Sequence, residues 1–218
     1  MKSKGFTLAE VLITIMLLGI IAILVMPALL TNIQKSKAGP AFMRAVSVLD
    51  NANSLMFVNQ EIYNFSETCY GEDPENAVGY VTSCFEPFIR ETLGAAQDQN
   101  TVTYQPFHGG EEGVLDLTGG YATKNGFTYY FDSANEDENG ISVAIDINGD
   151  TPPNIIGKDL FYAYISYGQN GKVIPRGSRI DPTEPEAWVG KCDASAVTDE
   201  QYCAGSISDN GGKVIYPW

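Results

Sequence analysis

Lys4-Gly5-Phe6-Thr7-Leu8-Ala9-Glu10 opens the stretch that decides the fold, and the twenty residues at 11–30 complete it. Those twenty hold one hydroxyl, Thr14, and no charge. At 1.5 Å per residue they make a helix of about 30 Å, the thickness of a bilayer's hydrocarbon core. A core helix of a soluble protein is seldom apolar all round over such a length. A secretory signal has a shorter apolar stretch and a small-x-small cleavage site after it. Here the first polar break, Thr31-Asn32, follows Ala28-Leu29-Leu30, which offers no such site.

Outward from that stretch, charge divides the 218-residue chain. Residues 1–44 carry a net +4, residues 45–140 a net −14 and residues 141–218 a net −4. A basic, apolar head therefore precedes an acidic body. The total of −14 argues against a broad basic face for nucleic acid, and no nucleic-acid partner is expected. A single histidine, His108, excludes multi-histidine metal sites; in Pro106-Phe107-His108-Gly109-Gly110 it reads as a solvated loop residue. The acidic runs Glu111-Glu112 and Glu136-Asp137-Glu138 lie in polar loops and read as solvated, so no enzyme is expected.

Glu10 is the odd residue, because an unpaired carboxylate beside an apolar run is costly and calls for a partner. No basic side chain lies one helical turn away within the run, so the charge calls for a partner outside its own helix. The leader-Gly-Phe-Thr-Leu-Ala-Glu pattern followed by the apolar run resembles the N-terminus of type IV pilins and type II secretion pseudopilins. The resemblance covers about the first thirty residues. It implies cleavage by a prepilin peptidase between Gly5 and Phe6, methylation of the new N-terminal Phe6, and an assembly role for Glu10 as the fifth residue of the mature chain. Lys2 and Lys4 then form a leader that stays inside, as basic flanks do. Docking of Glu10 onto the Phe6 amine of another copy would be a head-to-tail contact, the kind that builds open helical filaments.

The implied fold is α+β, pilin-like: a long N-terminal membrane helix packed on a small antiparallel sheet. The expected organisation is a cleaved leader at 1–5, a transmembrane and polymerisation helix at 6–30, and an amphipathic helix at 31–58. A variable αβ-loop region at 59–113 and a sheet with a disulfide-stapled C-terminal region at 114–218 follow. Ile33, Phe42, Val46, Leu49 and Met56 recur at helical multiples. Residues 6–58 would make a helix near 80 Å. Pro27 predicts a kink, and Gly39-Pro40 a bend or short break.

In the body a short helix is expected at 86–93. About four strands are expected among 114–117, 126–131, 141–147, 160–167 and 172–174, the last two joined by a Gln169-Asn170-Gly171 turn. Thr198-Asp199-Glu200-Gln201 reads as a capping box for a helix ending near Gly211, and Val214-Ile215-Tyr216 as a last strand. A Cys-containing helix before a Tyr-Pro-Trp ending is similar to the close of many pseudopilin-like chains.

Four cysteines allow three connectivities. Local pairing, Cys69–Cys84 and Cys192–Cys203, is expected in an oxidising compartment; neither spacing suits zinc. Asp146, Asn148, Asp150 and Asp159 alternate oxygen ligands in a Gly-containing turn and are the candidate ligands of a calcium ion. Thr151 and Gly157 stand where an EF-hand needs Gly and Glu, and an Asx-rich turn is the competing reading. Major pseudopilins carry calcium in a sheet loop, which this segment resembles loosely.

The function implied is that of a structural subunit of a type IV pilus or type II secretion pseudopilus, anchored in the bacterial inner membrane with its body outside the cytoplasm. Its partners would be the prepilin peptidase and other subunits. The alternative is a minor pilin at a filament tip, binding through the acidic 59–113 and 176–200 loops in adhesion or DNA uptake. A third reading, an unprocessed single-pass receptor, predicts an intact leader and indifference to Glu10→Ala.

Overall fold

The computed structural model describes residues 5, 7–59, 96–97, 101–111, 113–116, 119–132, 140–149, 151, 154–166 and 171–218. The expected helix at 86–93, the pair Cys69–Cys84, Phe6, Asp150 and most of the turn before Gly171 lie outside them.

One helix, α1 (Leu8–Asn59), runs for 52 residues. Its first part, through residue 34, is exposed on all sides. Its second part buries Ala38, Phe42, Ala45, Leu49, Ala52 and Met56, spaced by three and four residues on one face. Four of the five apolar positions singled out in the sequence are buried; Ile33 is not. The buried stripe starts at Ala38, so residues 31–37 form a neck between apolar run and body.

The expected break at Gly39-Pro40 is absent: α1 is continuous through Pro27 and Pro40. Pro40 is exposed, as is Ser36, whose carbonyl loses its helical donor to the proline and can turn to water. Packing holds Gly39 in the helix. A Cβ there would collide with the Gly212 carbonyl, so Gly39 is where the last residues of the chain cross the helix most closely.

Among the described residues nine strands follow: β1 (Ala96–Gln97), β2 (Thr101–Gln105), β3 (Gly113–Asp116), β4 (Gly119–Ala122), β5 (Thr128–Asp132), β6 (Gly140–Asp146), β7 (Asn154–Ile155), β8 (Leu160–Ser166) and β9 (Lys172–Pro175). The main sheet has six strands in the order β1-β4-β5-β6-β8-β9, antiparallel throughout. The expected count of about four is thus corrected upward. The run at 114–117 is β3, which joins a separate small sheet, β3-β2-β7, through an antiparallel β2–β3 and a parallel β2–β7 pairing. Gly171, at φ +72°, donates to Ser166 O and closes the β8–β9 hairpin.

Period-two alternation sorts the side chains of the main sheet between two layers. Tyr129, Phe131, Val143, Ile145, Phe161 and Ala163 face α1 and form the main core with Phe42, Leu49 and Met56. Tyr130 and Ala144 point to the opposite face and meet Ile156, Leu160 and Tyr104. Polar ties fix the helix to the sheet. Tyr129 Oη donates to Ala45 O (2.8 Å), Val173 N to Asp50 Oδ1 (3.0 Å), and Asn53 Nδ2 to Gly171 O.

The chain ends in a 3₁₀ turn (Glu200–Tyr202) running into α2 (Cys203–Asp209). The cap is Asp199, which accepts from Gln201 N, and not Thr198, whose hydroxyl donates to Gly190 O and Lys191 O instead. Cys192 and Cys203 are bonded, as expected. Residues 214–216 form no strand. Their polar groups serve the helix and a loop: Lys35 Nζ donates to Tyr216 O (2.6 Å), and Tyr216 Oη to Gly157 O (2.6 Å).

Candidate assembly and processing site

Gly5 is exposed, with nothing within 4 Å of the place a Cβ would take, so a protease can approach the backbone there. Thr7 precedes the first helical residue. Its hydroxyl accepts from Glu10 N (3.3 Å), while Glu10 Oε2 accepts from Thr7 N (2.8 Å) and Thr7 Oγ1 (2.9 Å). This reciprocal pattern is a capping box. The sequence carried its signal, Thr-x-x-Glu before an apolar run, but Thr7 was not singled out. The expectation that Glu10 must look outside its own helix is corrected in part: its own N-cap supplies two donors, though no opposite charge.

From Val11 to Leu30 the helix surface is apolar except for Thr14, whose hydroxyl donates to Val11 O (2.8 Å). Its most apolar eighteen residues have a mean hydropathy of 2.8, and none is buried. Leu12, Ile13, Leu18, Ile23 and Leu24 each expose more than half of their area. At about 25 cal/mol per Å² such a surface is not left to water in a stable arrangement.

The described members of the calcium quartet stand at the two ends of the β6–β8 connection: Asp146 ends β6, Asn148 follows it and Asp159 precedes β8. Asp146 Oδ1 accepts from Asn148 N (2.9 Å), Asn148 Nδ2 donates to Asp159 Oδ2 (3.3 Å), and Ile155 N donates to Asp159 Oδ1. Burial pushes the Asp159 carboxyl up to about 6, against the pull of these hydrogen bonds. The Asn148 and Asp159 side chains meet, while the Asp146 carboxylate takes the Asn148 backbone N–H, the local bonding of an Asx-rich turn. Among the described residues no group of three or more His, Cys, Asp or Glu side chains converges to hold a metal.

His108 is exposed, yet its Nε2 lies 2.5 Å from Val197 O and its ring packs edge-on against Phe107. It therefore ties the loop after β2 to the segment before α2, and is not merely solvated. A more elaborate polar centre, Asp181, was not legible in the sequence. Its buried carboxylate gathers five hydrogen bonds from Tyr164, Gly177, Thr183 and Glu184.

Comparison with known families finds that residues 1–26 match the prokaryotic N-terminal methylation motif. Comparison with curated proteins and with solved structures finds no match.

Proposed function

We propose that this chain, which carries the methylation motif at the head of a helix whose apolar part is fully exposed, is a structural subunit of a type IV pilus or a type II secretion pseudopilus. The motif implies processing by a prepilin peptidase and suggests an inner-membrane-anchored precursor. In the proposed sequence the peptidase cuts after Gly5 and the new Phe6 amine is methylated. The apolar part of α1 then leaves lipid for a bundle of like helices, and Glu10 sets the axial register against the Phe6 amine of another copy. The observation that carries the reading is the conjunction of motif and geometry: 1–26 match, and the same helix continues unbroken into the core of an acidic body.

Intact mass and N-terminal sequence of the chain from its native membrane, with and without active prepilin peptidase, test it. A chain that starts at methylated Phe6 only when the peptidase is active, and whose Glu10→Ala variant is processed but not assembled, is the expected result. A chain that retains Met1 in both strains refutes the reading.

A further inference from the structure

The body has a definable lower end. Phe42 meets Phe161 at the start of β8 (ring centroids 4.8 Å apart), whereas Asn53 bonds Gly171 at the turn that follows β8. Ascending α1 from its apolar part therefore means ascending β8 from Leu160 to Ser166. The loop that leaves β6 after Asp146 and enters β8 at Leu160 lies at the end nearest the apolar run. The closing residues lie there too, since Lys35 holds Tyr216 O and Trp218 stacks on Tyr216 (6.3 Å).

Between helix, loop and closing residues is a cavity of about 560 Å³, bordered by Lys37, Ala41, Ile155, Lys158, Asp159 and Trp218. Lys35 and Lys37 stand five and seven residues beyond Leu30, about 8 and 11 Å along the helix. A bilayer's headgroup layer adds roughly 5–8 Å to each side of its hydrocarbon core. Lys35 stands at the outer edge of that layer and Lys37 about 3 Å past it; helical side chains lean toward the N-terminus and lysine stems snorkel, which brings the Lys37 ammonium back to headgroup level. Trp and Tyr favour the same level. The charge also stands out. On a chain of net −14, the described residues of this edge set Lys35, bonded to Tyr216 O, Lys37, and Lys158, whose Nζ lies 4.8 Å from the Phe107 ring centroid, against Asp159.

We propose that this cavity seats the headgroup of an anionic phospholipid from the leaflet beside the neck of α1. Lys37 and Lys158 face its phosphate, and Ala41, Ile155 and Trp218, which line the cavity farther from the hydrocarbon core, face the headgroup carbons beyond it. The acidic body would otherwise be repelled by an anionic leaflet. A bound headgroup fixes its rotation about the helix axis. The inference rests on the reading of 11–30 as a membrane span, but not on cleavage or polymerisation.

The full chain, with Trp188→Phe to leave Trp218 as the sole indole, is inserted into nanodiscs of phosphatidylcholine with or without phosphatidylglycerol. Lipid brominated near the glycerol is the quencher, and native mass spectrometry counts retained lipid. Trp218 is expected to be quenched more strongly when phosphatidylglycerol is present. Lys37→Gln and Lys158→Gln are each expected to lower phosphatidylglycerol retention about fivefold, the share of one lysine at an anionic surface, while Lys37→Arg keeps it. Equal quenching and retention in both discs overturns the inference. So does a Lys37 that cross-links to acidic side chains of a second copy irrespective of lipid, because the cavity then belongs to a subunit contact. A chain that fails to enter discs at all overturns the membrane reading along with it; a chain that enters and ignores phosphatidylglycerol overturns this inference alone.

Discussion

Replacing Asp181 should damage the body more than any other single change among the described surface loops, and the two obvious replacements should differ. Its Oδ1 accepts from Tyr164 Oη (2.7 Å), Thr183 N (2.9 Å), Thr183 Oγ1 (2.7 Å) and Glu184 N (3.1 Å), and its Oδ2 from Gly177 N (2.8 Å). Thr183 is exposed and Glu184 half-buried, so their donors can turn to water. The donors on Tyr164 and Gly177 are interior. A hydrogen bond to a charged group contributes about 1.5–3 kcal/mol, so Asp181→Ala should cost about 3–6 kcal/mol. Asp181→Asn keeps an acceptor at Oδ1 and turns an amide NH₂ toward Gly177 N–H, which should cost about 1.5–3 kcal/mol.

For a chain of this size 1 kcal/mol moves Tm by about 2–4 °C. Calorimetry of the detergent-solubilised chain should then show a drop of about 10 °C or more for Ala and roughly half of that for Asn. Acid adds a second reading. Burial alone would raise the Asp181 carboxyl, but the hydrogen bonds from Thr183, Gly177, Tyr164 and Glu184 outweigh it and hold the group below the usual carboxylate range. A depressed folded-state value stabilises above the unfolded value of about 4 and ceases to do so as pH falls through the folded one. The wild-type Tm should fall over that acid window more steeply than that of Asp181→Asn. Two variants that each shift Tm by less than about 2 °C would refute the view that this carboxylate organises the loop.

Two other perturbations follow from the same body. Gly19→Ala and Gly39→Ala gain the same helix propensity, about 1 kcal/mol, but only Gly39 faces the Gly212 carbonyl, itself held by the Gly212 N–H to Ile207 O bond (2.9 Å). Overpacking costs about 1–3 kcal/mol, so thermal melts should show a loss for Gly39→Ala and none for Gly19→Ala. Opening Cys192–Cys203, whose partners are 11 residues apart, should lower stability by about 3 kcal/mol, read as the shift in denaturant midpoint between wild type and a Cys192→Ser/Cys203→Ser pair.

The elements legible in the sequence are those whose side chains alternate between two environments. β5, β6, β8 and β9 show it, and so does the stripe from Ala38 to Met56. β4 was missed because Gly119-Gly120 carries no pattern; its place is set by its neighbours β1 and β5. β2 has β-forming residues in Thr-Val-Thr-Tyr-Gln, but it pairs in parallel with the two-residue β7 about fifty positions later, and no local signal announces such a partner. The short break expected at Gly39-Pro40 did not form: local sterics disfavour a helix there, but α1 is continuous and packs against Gly212, remote in sequence. At the candidate site the motif at 1–26 was legible because leader, glycine and glutamate stand at fixed spacing; the Thr7 cap and the Asp181 knot depend on where backbone N–H groups point.

The bare apolar part of α1 has a consequence for reversibility. Lipid tails and a bundle of leucine- and isoleucine-rich helices are nearly equivalent solvents, so moving such a helix between them releases little hydrophobic free energy in either direction. Under the proposed function, the balance between stored and assembled copies would then be set by small polar terms, and a carboxylate already satisfied by its own threonine makes those terms smaller still. A subunit built this way can be taken into a filament and returned to the membrane without crossing a deep well at either end.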